Sequence, residues 1–272
     1  MISVDFFNQR VCRYHLVYMP LSPGLHKEEQ MKLIGRGATA EVFDCGDGTV
    51  CKLFIPGCPV DAVKREYDNA CLMEEMRLPV PKAHKLATLD SRVGIIYEKI
   101  CSESALDKLA AGESVDGLME RFALLHKRII SCRTRQGMSY KQFLLSCIGR
   151  KTPDKEALYE RIECLPDADY LCHGDYHPGN VLVGGDGSWR VIDFMNVCYG
   201  PREYDAARTF FLLAQGELPQ EVQSTEESLS IRRRLAALYL EKMQLDYQEI
   251  EGYLCIIREC RKYETPPARK EV

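Results

Sequence analysis

The sequence predicts an α+β fold in which a small antiparallel sheet with one helix precedes a mainly helical part. Between residues 31 and 97, short apolar runs alternate with turn signals, which is typical of hairpins. From residue 103 onward, apolar residues recur at helical spacing instead. The chain has 272 residues, which is enough for one large domain or two lobes with an ample core.

Composition excludes several classes of partner. The net charge of −4 gives no indication of binding to nucleic acid or to an anionic membrane. No apolar run approaches the roughly 20 residues of a membrane span, and the first residues do not resemble a signal peptide. The 13 cysteines form no CxxC pair, so we expect buried thiols in a reducing cytosol rather than disulfides or zinc ligands. We therefore expect a cytoplasmic protein, and the oligomeric state stays open.

The strongest functional signal is the segment from His173 to Phe194. Asp175 could orient or deprotonate a hydroxyl group, and Asn180, five positions on, offers a carbonyl oxygen to a metal. Asp193 ends a short apolar strand and offers a charged oxygen to the same metal or to a second one. This spacing is the arrangement of a kinase catalytic loop. The full spacing outweighs the alternative of an ordinary turn rich in Gly, Pro, His and Asp.

Upstream, the strand that begins near Met31 runs into a turn with two glycines. Gly35 and Gly37 let the backbone come close to a phosphate, and free N–H groups can then face its oxygens. Val42, where the chain returns to a strand, could cover an adenine ring. For this turn alone a plain hairpin is at least as good an interpretation, because Ala40 stands where a kinase loop would carry a third glycine.

A buried ion pair is expected next. A hairpin turn at residues 46–48 leads into a strand over residues 49–54, in which Lys52 lies among apolar residues. A charge there is unfavourable unless it is paired. The following helix begins near Val60, and Glu66 beside its apolar face is the candidate partner. The alternative is that both side chains are solvated, with the lysine stem lying along an exposed strand face.

Two further strands, around residues 83–88 and 93–97, complete the predicted sheet. Short polar turns follow, and we expect residues 98–102 to be the hinge to the helical part. Recognition of a purine there would use backbone groups, namely the carbonyl of Glu98 and the amide of Ile100.

Beyond the hinge, one buried helix is marked by Leu118, Phe122, Leu125 and Ile129 at helical spacing. His126 lies beside this face and is expected to be structural. Further helices are expected over residues 140–147 and 155–162, from about residue 203, and in the tail, where Ile231, Leu235 and Leu238 mark one helix and Ile250, Leu254 and Ile257 another.

Asp205 lies in the first turn of the helix expected near residue 203. It could accept hydrogen bonds from the backbone of the catalytic loop and hold that loop rigid, and His173 is expected to support the same loop. The alternative is an acidic residue that interacts only with the helix dipole.

Together these segments resemble the aminoglycoside phosphotransferase family, which includes choline-kinase-like and homoserine-kinase-like enzymes. The resemblance covers about residues 31–216 and is most specific at 173–193. It implies a protein-kinase-like fold with two lobes. The implied division is an N-terminal arm over residues 1–30, an N-lobe over 31–97, a hinge over 98–102 and a C-lobe over 103–272. The residues that carry the resemblance, in chain order, are Gly35-Arg36-Gly37, Lys52, Glu66, His173-Gly174-Asp175, His177-Pro178-Gly179-Asn180, Ile192-Asp193-Phe194 and Tyr204-Asp205-Ala206-Ala207-Arg208.

The resemblance also implies Mg²⁺-dependent transfer of the γ-phosphoryl group of ATP, or in some members GTP, to a hydroxyl group of a small molecule. Asp175 would be the base or orienting carboxylate, and Asn180 and Asp193 would hold Mg²⁺. Lys52, fixed by Glu66, would hold the nucleotide phosphates. The remaining nucleotide contacts would come from Gly35, Arg36, Gly37, Ala38, Thr39, Val42, Val50, Glu98 and Ile100.

Two departures favour a small-molecule kinase over a protein kinase. Gly174 stands where protein kinases carry Arg, and Met195 stands where they carry Gly. The interval between Asp193 and Asp205 also leaves no room for an activation loop that binds a peptide. A catalytically inactive nucleotide-binding scaffold is the other alternative. The acceptor stays open among aminoglycosides, choline, thiamine, sugars and amino alcohols.

Overall fold

The computed structural model of the chain describes residues 31–216 and 226–263. The arm expected over residues 1–30 lies outside these ranges. In the described residues, antiparallel strands with one helix come first and helices dominate after them, which confirms the predicted α+β class and its two lobes. None of the described helices is long and apolar enough to cross a membrane.

The N-terminal lobe contains five strands and one helix, which are β1 (Lys32–Arg36), β2 (Ala40–Asp44), β3 (Thr49–Phe54), α1 (Val60–Glu75), β4 (Ala83–Leu89) and β5 (Arg92–Glu98). The strands form one antiparallel sheet in the order β1-β2-β3-β5-β4, and α1 packs against β4 and β5. Gly46 and Gly48 have φ angles of 76° and 83° at the turn between β2 and β3. Glycine adopts such angles without strain, which explains the predicted turn.

The C-terminal lobe contains two 3-10 turns, Pro153–Lys155 and Pro178–Asn180, and the remaining strands and α-helices. These are β6 (Ser102–Ser104), α2 (Ala105–Ala110), α3 (Val115–Ile129), α4 (Tyr140–Ile148), α5 (Glu156–Glu163), β7 (Tyr170–Cys172), β8 (Val181–Gly184), β9 (Trp189–Val191), β10 (Cys198–Gly200), α6 (Arg202–Gln215), α7 (Glu226–Met243) and α8 (Tyr247–Arg261). One antiparallel sheet has the order β6-β8-β9, and β7 pairs with β10. Because β7 ends just before His173 and β8 begins just after Asn180, these short strands fix both ends of the predicted catalytic loop.

The predicted buried faces are confirmed on two helices, and the prediction is wrong for one residue, Ile231, on a third. On α3 and α8, every residue of the predicted stripes is buried. On α7, Ile231 is 53% exposed, whereas Ala236, Tyr239 and Leu240 are buried. The physical reason is tertiary packing, since the ring of Tyr239 packs against Phe122 of α3 with 6.0 Å between centroids. This contact selects a face that the spacing of the aliphatic residues does not reveal.

The cysteines are less uniformly buried than expected. No disulfide bond joins the cysteines of the described residues. The buried ones are Cys51, Cys172, Cys198 and Cys260, and the exposed ones are Cys101, Cys164 and Cys255. The expectation of buried thiols is therefore wrong for the last three. Cys101 lies in a loop, Cys164 lies just after the end of α5, and Cys255 lies on the exposed face of α8.

Phe122 is predicted to be one of the costliest side chains to truncate. It is fully buried, and its ring centroid lies 4.3 Å from that of Tyr176. We expect Phe122→Ala to lower the free energy of unfolding by about 3–5 kcal/mol in urea unfolding. Leu124→Ala, on the same helix but 67% exposed, is the control and should change it by less than about 0.5 kcal/mol. Equal effects of the two substitutions would contradict the described packing.

Candidate active site

The chain that follows β7 turns sharply at Gly174. Its φ is 76°, in the left-handed region that favours glycine. A Cβ at this position would lie 2.3 Å from the carbonyl oxygen of Asn196, so a larger residue would displace the backbone. The local structure therefore requires the glycine that departs from the protein-kinase pattern. Asp175 follows directly, with 26% of its side chain exposed.

The buried carboxylate of Asp205 holds the backbone at this turn. Its Oδ2 accepts a hydrogen bond from the N–H of His173 at 2.7 Å, and its Oδ1 accepts one from the N–H of Gly174 at 2.8 Å. Arg208, one turn further along α6, donates from Nε to the carbonyl oxygen of Gly174 at 2.9 Å. Two side chains of one helix thus hold the peptide groups on both sides of Gly174.

Hydrogen bonds keep Asp205 charged despite its burial. Burial alone would raise the pKa of Asp205, but the hydrogen bonds that it accepts from His126 and from the N–H of Gly174 place that pKa below its usual value. His173 is also buried, which lowers the pKa of its ring. Nδ1 of His173 accepts the N–H of Asp175 at 3.3 Å, so His173 supports the same loop.

The short turn Pro178–Asn180 brings Asn180 beside Asp175. Nδ2 of Asn180 donates to the backbone carbonyl oxygen of Asp175 at 2.9 Å and lies 3.3 Å from its Oδ2. Because the amide nitrogen is used within the loop, the side-chain carbonyl oxygen is the part of Asn180 left for another ligand. The N–H of Ile192 donates to the backbone carbonyl of Asn180 at 3.0 Å, which holds Asp193 next to this loop.

The N-terminal lobe contributes Lys52 from β3. Its Nζ lies 2.7 Å from Oε1 of Glu66 on α1 and 3.0 Å from Oδ1 of Asp193. Glu66 is fully buried and accepts a second hydrogen bond from the hydroxyl of Tyr97 at 3.2 Å. The expected ion pair between Lys52 and Glu66 is therefore present, and the same ammonium group joins the two lobes through Asp193.

The charges of Lys52 and Asp193 stabilise each other, whereas burial raises the pKa of Glu66. Burial would lower the pKa of Lys52, but attraction to Asp193 and Glu66 raises it above its usual value. Burial would raise the pKa of Asp193, but the nearby Lys52 lowers it below its usual value. Asp193 has a φ of 69°, a conformation that costs on the order of 1–3 kcal/mol unless contacts hold it. One such contact is the hydrogen bond from Nδ2 of Asn69 to the carbonyl of Phe194 at 2.9 Å.

The register of the sheet decides which hairpin side chains face Lys52. Val42 pairs with Lys52 across β2 and β3, and Val50 lies two residues from Lys52 on β3, so these three share one face. Glu41 and its strand partner Arg36 lie on the opposite face, where Nε of Arg36 is 3.4 Å from Oε1 of Glu41. The side chain of Arg36 therefore points away from Lys52, and only its backbone could meet a ligand on the Lys52 face.

The hairpin does not itself require the glycines of the turn between β1 and β2. Neither Gly35 nor Gly37 has a positive φ, and a Cβ added to either would meet no atom closer than 3.6 Å. Ala38 and Thr39 complete the turn, and Thr39 is tied to β3 by a hydrogen bond from the N–H of Ile55 to its carbonyl at 2.9 Å. The two glycines thus leave the backbone of this turn accessible to a ligand, while the hydrogen bond from Ile55 holds the turn in place.

The predicted hinge groups lie at the end of β5. Glu98 is the last residue of that strand and pairs with Thr49 of β3, and Ile100 lies two residues further on. Tyr97, which precedes Glu98, reaches Glu66 with its hydroxyl. The backbone of the connection between the lobes is therefore anchored next to the Lys52 cluster.

Four side chains that hold this site were not assigned a role from the sequence. They are Asn69, Tyr97, Arg208 and Tyr239. Asn69 follows Glu66 by three residues and Arg208 follows Asp205 by the same interval, so helical spacing could have identified both. The hydroxyl of Tyr97 contacts Glu66, and the hydroxyl of Tyr239 contacts the ring of His126, which in turn contacts Asp205. Both tyrosines lie far along the chain from their partners, so no local spacing indicates these contacts.

Comparison with known families decides the classification. A family model described as the phosphotransferase enzyme family matches residues 30–238, which is more than half of the chain. This chain belongs to the phosphotransferase enzyme family. The match confirms the family suspected from the motifs and includes every residue of the site described above except Tyr239. A comparison with the curated proteins found no match.

Solved structures of aminoglycoside phosphotransferases share the fold of this phosphotransferase-family protein. An aminoglycoside 3′-phosphotransferase of type VIII is 15% identical with a TM-score of 0.58, over 84% of this chain and 93% of that one. The enzyme APH(3″)-Id of Streptomyces rimosus, in complex with ADP and streptomycin, is 17% identical with a TM-score of 0.53, over 84% and 91%. A thermostable mutant of APH(4)-Ia, in complex with AMP-PNP and hygromycin B, is 16% identical with a TM-score of 0.51, over 89% and 95%.

The low pKa of Asp205 predicts how the stability of this phosphotransferase-family protein depends on pH. The folded pKa lies below the unfolded value of about 3.9, so Asp205 stabilises the fold above about pH 4 and loses this contribution as the pH falls through the folded pKa. Asp205→Asn should therefore be less stable than the wild type at pH 7, and the difference should shrink as the pH is lowered to 3. Urea unfolding at several pH values measures it.

The control for this experiment is Asp61→Asn, which removes an exposed carboxylate from the first turn of α1. It should change the free energy of unfolding little at any of these pH values. A stability difference between Asp205→Asn and the wild type that stays constant with pH would be incompatible with an ionised, hydrogen-bonded Asp205.

Proposed function

We propose that this protein transfers the γ-phosphoryl group of ATP to a hydroxyl group of a small molecule, with Mg²⁺ as cofactor. The observation that carries the proposal is that four chemically suited side chains lie together. Nζ of Lys52 is 3.0 Å from Oδ1 of Asp193, and Nδ2 of Asn180 is 2.9 Å from the backbone oxygen of Asp175. Membership of the phosphotransferase enzyme family supports it. Phosphoryl transfer needs mainly placement and charge neutralisation, which a cation, two metal-binding oxygens and a carboxylate can provide.

In this proposal the nucleotide lies against the sheet face that carries Lys52. Val42 and Val50, on that face, would cover the base, and Lys52 would contact the phosphate oxygens. The backbone of residues 35–39 would cover the phosphates, and its two glycines leave room for a close approach.

The base would be recognised between the lobes. Its partners would be the carbonyl of Glu98 and the amide of Ile100, within a hinge over residues 98–102. The N-lobe over residues 31–97 and the C-lobe that begins at residue 103 would then close on the nucleotide from opposite sides.

The oxygen atoms of the site fit Mg²⁺. The side-chain carbonyl of Asn180 is left free by the bonds of its amide nitrogen, and Asp193 has a second carboxylate oxygen besides the one that Lys52 contacts. Within the described residues, no group of three His, Cys, Asp or Glu side chains could hold a metal. This suits Mg²⁺, which is usually held by one or two protein oxygens together with phosphate oxygens. When bound, Mg²⁺ would neutralise negative charge on the phosphates.

Asp175 would orient the acceptor hydroxyl and accept its proton. The acceptor oxygen forms the new bond to the γ-phosphorus, and the bond from that phosphorus to the oxygen it shares with the β-phosphate breaks, which releases ADP. Nδ2 of Asn180, 3.3 Å from Oδ2 of Asp175, would hold the carboxylate in place during the step.

The acceptor would be bound by side chains from residues 131–165 and from helices α7 and α8, which carry no recognisable motif. A screen that measures ADP formation and product mass with ATP, Mg²⁺ and a panel of aminoglycosides, choline, thiamine, sugars and amino alcohols tests the proposal. Turnover on one of these acceptors is the expected result. ATP binding without turnover on any of them would favour the inactive scaffold, and phosphorylation of a peptide would favour a protein kinase.

Asp175→Asn is predicted to lower phosphoryl transfer by about 10²-fold or more while nucleotide affinity stays nearly unchanged, because the carboxylate acts on the acceptor rather than on the nucleotide. Steady-state kinetics and calorimetric titration with ATP measure the two quantities. Equal turnover by the variant and the wild type would rule out this role of Asp175.

Asp193→Ala is predicted to abolish the part of nucleotide binding that depends on Mg²⁺. The matched control is Asp186→Ala, which removes an exposed aspartate from the turn between β8 and β9 and should leave that dependence intact. Titrations with ATP, with and without Mg²⁺, measure the effect. If the affinity of the Asp193→Ala protein rose with Mg²⁺ as much as that of the wild type, Asp193 would not be a metal ligand.

A further inference from the structure

We propose that Tyr239 of α7 is a positioning residue of the active site, which acts through His126 and Asp205 on the backbone of the catalytic loop. Tyr239 lies outside the segment that the family model matches. The catalytic part of this inference rests on the proposed function, whereas its structural part does not.

A continuous chain of buried hydrogen bonds leads from Tyr239 to the loop. The hydroxyl of Tyr239 lies 2.6 Å from Nδ1 of His126, and Nε2 of His126 lies 2.9 Å from Oδ2 of Asp205. Asp205 in turn accepts the backbone N–H groups of His173 and Gly174 at 2.7 and 2.8 Å. The side chains of Tyr239, His126 and Asp205 are all fully buried, so water does not compete for these bonds.

This chain determines which nitrogen of the His126 ring carries a proton. An ionised carboxylate can only accept hydrogen bonds, so Nε2 of His126 must carry the hydrogen that Asp205 receives. Nδ1 meets the hydroxyl of Tyr239, which donates to it when Nε2 holds the only ring proton. Without that hydroxyl, Nδ1 is buried and unpaired. The opposite tautomer, which would satisfy neither Nε2 nor the carboxylate, then becomes less unfavourable relative to the productive one.

The packing around the two rings makes the contribution of the hydroxyl separable. The His126 ring stacks on Tyr176 with 4.2 Å between centroids, and the Tyr239 ring packs edge-on against Phe122 at 6.0 Å. These contacts involve ring carbons, so Tyr239→Phe keeps them and removes only the hydroxyl. A change in the catalytic loop of that variant would therefore come from the lost contacts of the hydroxyl, with His126 and with Thr209 of α6, and not from a cavity.

The loop is where such a change would affect the reaction. The peptide groups held by Asp205 directly precede Asp175, and group transfer is sensitive to small misplacements of a positioning carboxylate. Lys52 and Glu66 belong to the N-terminal lobe and take no part in the hydrogen bonds that lead from Tyr239 to the loop. Tyr239→Phe should therefore lower kcat by about tenfold and leave the KM for ATP within about twofold.

Two structural readouts test the inference without activity. The first is amide hydrogen exchange at His173 and Gly174, which should become about tenfold faster in Tyr239→Phe than the change in global stability explains. The second is the ¹⁵N spectrum of the His126 ring, which reports the tautomer and should change. The matched control is Tyr140→Phe, which removes the hydroxyl of another buried tyrosine. That hydroxyl donates to the carbonyl of Pro166 and takes no part in the hydrogen bonds that lead from Tyr239 to the loop.

A double-mutant cycle tests the path. His126→Phe keeps a planar ring in this position but removes both ring nitrogens, so the hydroxyl of Tyr239 loses its link to Asp205. Tyr239→Phe should therefore have no further effect on loop exchange or on kcat in the His126→Phe protein. Additive effects would show that Tyr239 acts by another route.

The activity arm uses the acceptor found in the screen, or ATP with water as acceptor where the screen finds none. The inference is overturned if Tyr239→Phe matches Tyr140→Phe in loop exchange and ring spectrum, or if the loop changes while kcat does not. If the wild type turned over no acceptor, the proposed function would fail, and loop exchange and the ring spectrum would still decide whether Tyr239 positions the loop.

Discussion

The buried carboxylate of Asp205 is the group on which the rest of the candidate active site depends. A charge inside a protein is unfavourable by several kcal/mol unless donors surround it. Here the donors are the N–H groups of His173 and Gly174 and the ring of His126. Because two of the three donors are the peptide groups that precede Asp175, satisfying the charge and fixing the catalytic loop are one and the same interaction. The burial of the aspartate is tolerated only in the conformation that also places Asp175.

The Lys52 cluster gives the opposite lobe a comparable anchor, but it is less completely satisfied. Two carboxylates, Glu66 and Asp193, face one ammonium group, and Oε2 of Glu66 has no hydrogen-bond partner among the described residues. Burial raises the pKa of Glu66, and Asp193, with 35% of its side chain exposed, keeps one carboxylate oxygen that the ammonium group does not contact. The carboxylate of Asp205 is satisfied by groups of the protein alone, whereas this second oxygen of Asp193 would be available to the proposed Mg²⁺.

Sequence spacing predicted the parts of the molecule whose geometry is local. The interval from Asp175 to Asn180 reflects a single loop, and the five strands and one helix of the first lobe follow from turns and periodicity within short windows. The three-residue strands β6 and β10 were not predicted, because such strands exist only through their partners. Tyr239 contacts His126 across 113 residues of chain. The exposed position of Ile231 on the same helix was missed for the same reason, since packing with another helix rather than spacing decides which face is buried.

The contact between Lys52 and Asp193 also constrains how metal and nucleotide would bind. A cation on Asp193 would lie close to an ammonium group that is now 3.0 Å from one of its oxygens, and the two positive charges would repel each other. Nucleotide phosphates are the anions that could accept the displaced ammonium group. Metal binding alone would be opposed by the charge of Lys52. Nucleotide binding alone would take Lys52 away from Asp193. When both bind, the phosphates would hold Lys52 and the metal would neutralise Asp193. By linkage the two affinities must then rise together, with the nucleotide replacing a direct ion pair as the connection between the lobes.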